Sequence, residues 1–182
     1  MTRAALLVLL ALSLSACGTA NRWAGSLFGS DGADPARITG PGGAGAQIVA
    51  TSRHLECVPY ARSVSGIGIR GDAWTWWNTA KGRYRRGEQP SIGAILVLRR
   101  TNRLNGGHLA VVSEVRSHRE IVVQHANWLN NGNIHLNTPV RDESAANDWS
   151  LVRIWYTPGR TYGASRYAAH GFIYPERLQA MR

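Results

Sequence analysis

One cysteine and one histidine near the middle of the chain are of the residue types that acyl transfer requires. Cys57 stands two positions before Pro59, and apolar residues follow at helical spacing as far as Val64. Because proline is favoured in the first turn of a helix, Cys57 is predicted at or just before a helix N-terminus. A helix N-terminus and a nearby imidazole both lower the pKa of a thiol, and His108, which follows a glycine-rich loop, could supply the imidazole. The pattern indicates a cysteine nucleophile with a histidine base.

Such a base needs a partner of its own, which fixes the imidazole tautomer and stabilises the charged ring. Two candidates, His125 and Asn127, lie on the strand predicted to follow that of His108. A short hairpin turn between these strands would place Val112 opposite Ile121. The same register places His108 opposite His125 and makes Asn127 a diagonal neighbour on the same face. We favour His125 as the partner, and Asn127, acting through its amide oxygen, is the alternative.

Two other roles are open to these residues. A lone cysteine is often a small buried hydrophobe, and Cys57 would then only pack in the core. By ligand type, Cys57, His108 and His125 are also a conceivable zinc site. We favour the nucleophile over both and expect neither a metal nor another cofactor.

The elements that must position these side chains are helices first and strands after. The first helix is predicted to end at the glycine-containing segment 65–68. Asp72 is a plausible cap for a second helix over 73–80, with Trp77 packed in the core. This order predicts an α+β domain. The predicted strands are 94–98, 108–115, 119–127 and 151–156.

Histidines outside the proposed site are expected at the surface. His54 is close to Cys57 in sequence, His118 falls in the predicted hairpin turn, and His135 lies in a polar segment rich in asparagine. Segments of that composition usually form solvated loops. We therefore assign none of these three histidines to the chemistry.

Five motifs occur in the order and spacing of a known family. Each motif alone is weak evidence, and only their combination is specific. Together they resemble the CHAP family, the cysteine, histidine-dependent amidohydrolases/peptidases, over about residues 50–157. The resemblance implies a papain-like α+β fold, with N-terminal helices packed on an antiparallel β-sheet or half-barrel, and cleavage of peptidoglycan amide bonds. The motifs are 56–62, Trp77, 90–95, 107–112 and 125–128.

The resemblance also assigns residues. The cysteine of the family's Cys-x-x-Tyr motif maps to Cys57, and the histidine of its Gly-His-x-Ala motif maps to His108. Tyr60 of the first motif and Trp128 beside the end of a strand are expected to contact the substrate. The family commonly has glutamate at the third catalytic position, where this chain has His125, so a fixed negative charge is missing.

The first residues have the pattern of an export signal. Arg3 precedes an apolar run at 4–14, which is too short to span a membrane, and small residues lead to Cys17. This ending resembles the box of bacterial lipoproteins, which implies cleavage before Cys17 and lipidation of its thiol. An ordinary signal with an incidental cysteine is the alternative. By the same resemblance, Gly18 after the cysteine favours the outer membrane, facing the periplasm.

Length and charge limit what the remaining chain can be. A chain of 182 residues suits one domain with extensions. With 21 Lys and Arg against 11 Asp and Glu, its surface favours anionic partners such as cell-wall polymer or membrane lipid, while a secretion signal argues against nucleic acid. A regulatory protein is conceivable, but no motif identifies one. The predicted segments are a signal peptide at 1–16, a lipidated flexible tether at 17–48, a catalytic domain at 49–160 and a C-terminal extension at 161–182.

Two functions of different class follow from these observations. The first is a lipid-anchored peptidoglycan hydrolase, either an endopeptidase or an N-acetylmuramoyl-L-alanine amidase. The second is a non-catalytic cell-wall-binding lipoprotein with a degenerate CHAP fold. Intact Cys57 and His108 favour the first, and the histidine in place of an acid at position 125 favours the second.

Overall fold

The computed structural model describes residues 45–178, and strands dominate this part of the chain. The first helix begins at Cys57 and is followed by Gly66 in a left-handed conformation, as the sequence predicts. A 3-10 turn, Ala73–Thr75, precedes the second helix. In chain order the elements are β1 (Gln47–Val49), α1 (Cys57–Ser65), α2 (Trp76–Thr79), β2 (Tyr84–Gly87), β3 (Ile95–Leu98), β4 (His108–Ser117), β5 (Glu120–Ala126), β6 (Ile134–Asp142), β7 (Leu151–Tyr156) and β8 (Thr161–Arg177).

The strands form one antiparallel sheet that closes on itself. Its order is β1-β6-β5-β4-β3-β8-β2, and β7 pairs with both β6 and β8. Strands β3 to β8 therefore make a closed six-stranded barrel, with β1 and β2 attached outside the ring. The prediction of a papain-like α+β fold is wrong, because the described residues are mostly β, with 45% strand and 14% helix.

The strands that the sequence patterns miss explain this error. Strand β2 carries two adjacent arginines, and β6 contains Asn137 and Pro139, so neither has the composition that usually marks a strand. Strand β8 is rich in small residues and includes two glycines. Pairing overrides these weak local preferences, because β6 and β8 have partners on both sides in the closed ring and β2 pairs with β8.

Strand β8 is the longest element and belongs to the sheet rather than to an extension. Residues 161–168 pair with β7, and the following residues pair with β3 and then β2. Gly171 permits this change of partner, because its φ is +112° and a Cβ there would lie 2.5 Å from the carbonyl oxygen of Gly87. The predicted domain boundary at residue 160 therefore cuts through the barrel.

The barrel wall separates two apolar clusters. Leu96 and Leu98 of β3 pack inside the ring, whereas Ile95 and Val97 face the helices, as the alternation of a strand requires. The helical cluster contains Trp76, which is fully buried. Trp77 packs against this cluster, as predicted, but is only partly buried.

The β4–β5 hairpin differs in register from its prediction. Val112 pairs with Val123 rather than with Ile121, and irregularities interrupt the ladder further towards the turn. The displacement near the site is two residues. Because the side-chain period of a strand is two, such a displacement leaves each residue on its predicted face.

Some predictions concern residues outside the described part of the chain. The signal peptide, Cys17 and nearly all of the tether lie before residue 45, where the structure describes nothing. Within residues 45–178, no helix has the length and apolar character needed to cross a membrane.

Candidate active site

A cleft of about 990 Å³ opens where α1 begins and where β4 begins. Its walls come from the segment before α1, the turn before α2, the β3–β4 and β5–β6 loops, and strands β7 and β8. This volume is at the upper end of that of small-molecule sites. The lining side chains include Glu56, Cys57, Asp72, Arg103, His108, Asn127, Trp128, Tyr156 and Tyr167.

Cys57 is the first residue of α1, where backbone N–H groups lack partners within the helix. Burial raises the pKa of its thiol, the backbone N–H of Leu109 opposes this by hydrogen bonding to the sulfur, and the Glu56 carboxylate adds to the rise. Leu109 directly follows His108, so the sulfur lies beside the start of β4. The thiol is therefore protonated in the resting protein at neutral pH.

His108 and His125 are joined by a hydrogen bond. The distance from His108 Nε2 to His125 Nδ1 is 2.8 Å, and both rings pack against the indole of Trp128. The exposed fraction is 4% for His108 and 0% for His125. Burial lowers the pKa of His108 to about 3 and that of His125 well below its usual value, so both rings are uncharged at neutral pH.

The orientation of His108 leaves one ring nitrogen for the cleft. Its Nε2 is occupied by His125, so Nδ1 is the atom that can accept a proton from a donor in the cleft. The side-chain hydrogen bond of His108 is made with His125 and not with the thiol. The structure thus brings the predicted base and its favoured partner together, and places the thiol on the same cleft.

Asn127 performs a different task from orienting His108. Its backbone is left-handed, its Nδ2 donates to Glu56 Oε2 at 2.7 Å, and its Oδ1 accepts from the N–H of Gly132 at 2.9 Å. A Cβ on Gly132 would lie 2.7 Å from the Cα of His54, so the β5–β6 loop sits directly on the segment before α1. The asparagine therefore fixes the residue that precedes the nucleophile.

The two predicted substrate contacts have different positions. Trp128 lines the cleft, where the sequence places it. Tyr60 is only 2% exposed, and its hydroxyl donates to Gln124 Oε1 at 2.9 Å, between α1 and β5. Tyr60 is therefore a core residue away from the cleft. The motif tyrosine lies on the buried side of α1, one turn beyond Cys57.

His135 is buried, contrary to its prediction as a surface residue. It is 1% exposed, not solvated, and pairs directly with His125 across β5 and β6. The two ring centroids are 5.3 Å apart in an edge-to-face arrangement. A signal was available, since apolar or β-branched residues alternate from Ile134 to Val140, but the asparagines and the proline of this segment obscured it. His54 and His118 are exposed, as predicted.

Comparison with known families supports the resemblance. Residues 47–127 match the family model described as CHAP domain, a span that runs from β1 to the end of β5 and contains Cys57, His108 and His125. This match supports the CHAP family, whose members are generally cysteine- and histidine-dependent amidohydrolases or peptidases, and it suggests a peptidoglycan hydrolase or amidase type of function. No curated protein matches the chain.

Proposed function

We propose that this protein hydrolyses an amide bond of peptidoglycan peptides through the Cys57 thiolate, with His108 as base and His125 as the residue that orients it. The observation that carries the proposal is the 2.8 Å hydrogen bond between His108 and His125 at a cleft that also holds Cys57. A nucleophile, a base and a partner for the base are the parts that covalent acyl transfer needs.

The reaction begins when the carbonyl carbon of the substrate reaches the sulfur. His108 Nδ1 takes the thiol proton, and the sulfur attacks the carbonyl carbon. The backbone N–H of Cys57, at the start of α1, stabilises the oxyanion of the tetrahedral intermediate. The His108 imidazolium then protonates the leaving amine as the C–N bond breaks. Water, deprotonated by His108, hydrolyses the remaining thioester and restores the thiol.

The electrostatics of the site favour proton transfer during attack over a preformed ion pair. Burial raises the pKa of Cys57 and lowers that of His108 to about 3, so the neutral pair is the resting state. The charged intermediate gains stability from the oxyanion donors and from the His125 ring, which accepts a hydrogen bond from the His108 imidazolium. Because His125 brings no negative charge, it stabilises the imidazolium less than a carboxylate would.

We further propose that the enzyme acts from a membrane, anchored by lipid on Cys17 and facing the periplasm. The export pattern before Cys17 supports this location, and the excess of positive charge suits the anionic wall and lipid surfaces found there. Arg85 and Arg86 border a second, shallow cavity of about 390 Å³, which adds to this basic surface. Peptidoglycan is the proposed substrate, and neither a metal nor nucleic acid has a role.

Purified wall sacculi provide the test. The full chain and its Cys57→Ala variant are incubated with sacculi, and the released fragments are analysed by mass spectrometry. We expect the variant to lose on the order of a thousandfold or more in rate, because no other group replaces the nucleophile. New peptide amino termini would indicate an endopeptidase, and release of intact peptides from the lactyl group would indicate an amidase.

His118 offers a matched control for the base. It is an exposed histidine at the β4–β5 turn, so His118→Ala should keep the wild-type rate while His108→Ala loses it. Equal release by wild type and Cys57→Ala would exclude the hydrolase.

A non-catalytic wall-binding protein is the second candidate, favoured by the raised thiol pKa and the missing carboxylate. It requires sacculus binding without release of any fragment.

A further inference from the structure

Three neighbouring strands each contribute one buried histidine to the same part of the barrel. They are His108 on β4, His125 on β5 and His135 on β6, which are exposed by 4%, 0% and 1%. The proposed mechanism uses the first two. The third lies beside His125 as its direct partner in the strand ladder, outside the span that matches the CHAP model.

The direction of the His108–His125 hydrogen bond decides whether the base can work. Burial lowers the pKa of all three rings, so each carries a single ring proton at neutral pH. If His125 Nδ1 donates, the His108 proton sits on Nδ1 and the ring cannot accept from the thiol. If His108 Nε2 donates, Nδ1 is free to act as base, and the His125 proton must sit on Nε2.

The working arrangement therefore needs an acceptor at His125 Nε2. That atom is buried without a hydrogen-bond partner among the described residues, and so is Nε2 of His135. A buried donor without an acceptor is rarer in proteins than an acceptor without a donor. An unaided His125 would therefore carry its proton on Nδ1 and donate it to His108 Nε2, which leaves His108 unable to act as base. The neighbouring His135 ring, 5.3 Å away between centroids, carries an unused nitrogen of its own.

We propose that His135 is a positioning residue that selects the working tautomer of His108. One bridging water accepts a hydrogen bond from the His125 Nε2–H and donates one to Nε2 of His135. Two unpartnered nitrogens on adjacent buried rings give such a water the minimum of two polar partners. The result is a row of three imidazoles in which the ring farthest from the cleft sets the proton position on the ring nearest to it. This inference rests on the proposed function for its catalytic consequence, but not for the tautomer itself.

The tautomer can be measured without substrate. In the full chain labelled with ¹⁵N-histidine at neutral pH, the ¹⁵N shifts of His108 distinguish a protonated Nε2 from a protonated Nδ1. We expect protonated Nε2 in the wild type and a shift of the population towards protonated Nδ1 in His135→Leu. His135→Gln, whose amide oxygen can still accept, should keep the wild-type pattern. His118→Leu, which alters an exposed histidine, should leave the His108 signals unchanged.

Kinetics on sacculi supply the second measurement. His135→Leu should lower kcat by about 10- to 100-fold, the range found for outer partners that orient metal-bound imidazoles, with KM unchanged. His135→Gln should recover most of this loss, which a purely structural role would not predict. Unfolding curves of both variants verify that they fold.

The outcomes separate this inference from the proposed function. An unchanged His108 tautomer in His135→Leu, or equal loss of kcat in the Leu and Gln variants, would overturn the role of His135. If Cys57→Ala released sacculus fragments at the wild-type rate, the proposed hydrolase activity would be excluded. The ¹⁵N measurement would still decide the tautomer of His108.

Discussion

At the scale of single residues, burial shifts the pKa values of the nucleophile and the base in opposite directions, and both groups are therefore neutral. Cys57 is held in the protonated form by burial and by the Glu56 carboxylate, while burial holds His108 in the neutral form that a base requires. Asn127 then fixes Glu56 beside the thiol by a 2.7 Å hydrogen bond. The acidic neighbour of the nucleophile is therefore a restrained part of the site and not a mobile surface group.

This arrangement predicts the reactivity of the thiol. Alkylation of Cys57 by iodoacetamide, followed against pH in a Cys17→Ser background, should show an apparent pKa above the value of about 8.5 for free cysteine. Glu56→Gln should lower that pKa, because it removes a nearby negative charge and keeps an acceptor for Asn127.

Glu88→Gln is the matched control, since Glu88 is an exposed carboxylate outside the Cys57 cleft. An apparent pKa well below that of free cysteine in the wild type would contradict the neutral resting pair.

At the scale of elements, the sequence predicts the parts of the site that depend on local signals. The start of α1 at Cys57 follows from Pro59 and helical spacing, and strand β4 follows from the apolar run after His108. The contact between His108 and His125 is confirmed although the predicted register is wrong, because a displacement by two residues keeps the face.

The parts that could not be predicted are those that depend on distant pairing. Strand β6 buries His135 because β5 lies beside it, and the asparagines and the proline of this segment obscure the alternation that would mark a strand. Strand β8 has partners on β7, β3 and β2, which are separated widely along the chain. The Cys-x-x-Tyr motif predicts a substrate contact for Tyr60, but a motif does not show which side of a helix faces the core.

The change of partner along β8 predicts a position that tolerates no side chain. Gly171→Ala should lower the free energy of unfolding by more than about 1 kcal/mol, because its φ is +112° and the new Cβ would meet the Gly87 carbonyl oxygen. Urea unfolding followed by circular dichroism measures this loss.

Gly106→Ala should behave differently, since Gly106 has open space at its Cβ position and lies outside the left-handed region. Equal stability of the Gly171→Ala protein and the wild type would show that β8 does not approach β2 as described.

At the scale of the whole molecule, the barrel encloses three histidines that carry no charge when the protein is folded. In the unfolded chain these rings have an ordinary pKa near 6.5, so below that pH the unfolded state binds more protons than the folded state. Acid therefore favours unfolding of the barrel through the residues that form the candidate site.

The resulting prediction concerns stability against pH. The free energy of unfolding should fall as pH decreases from about 6.5, with His108 contributing up to about 1.4 kcal/mol per pH unit until its folded pKa of about 3 is reached. Urea unfolding at several pH values measures the slope.

His108→Gln should reduce that slope, and His118→Gln, which alters an exposed ring, should not. Identical slopes for the wild type and His108→Gln would show that His108 has the same pKa in the folded and unfolded states, which would contradict its lowered pKa in the folded protein.

Strand β8 completes the ring by joining β7 to β3, and it is the last strand within residues 45–178. A nascent polypeptide that has reached only β7 still exposes the free hydrogen-bonding edges of β3 and β7, which are available to any other extended segment. Because β8 follows the other ring strands in the sequence, the ring around His108 and His125 closes only after β8 itself has been synthesised.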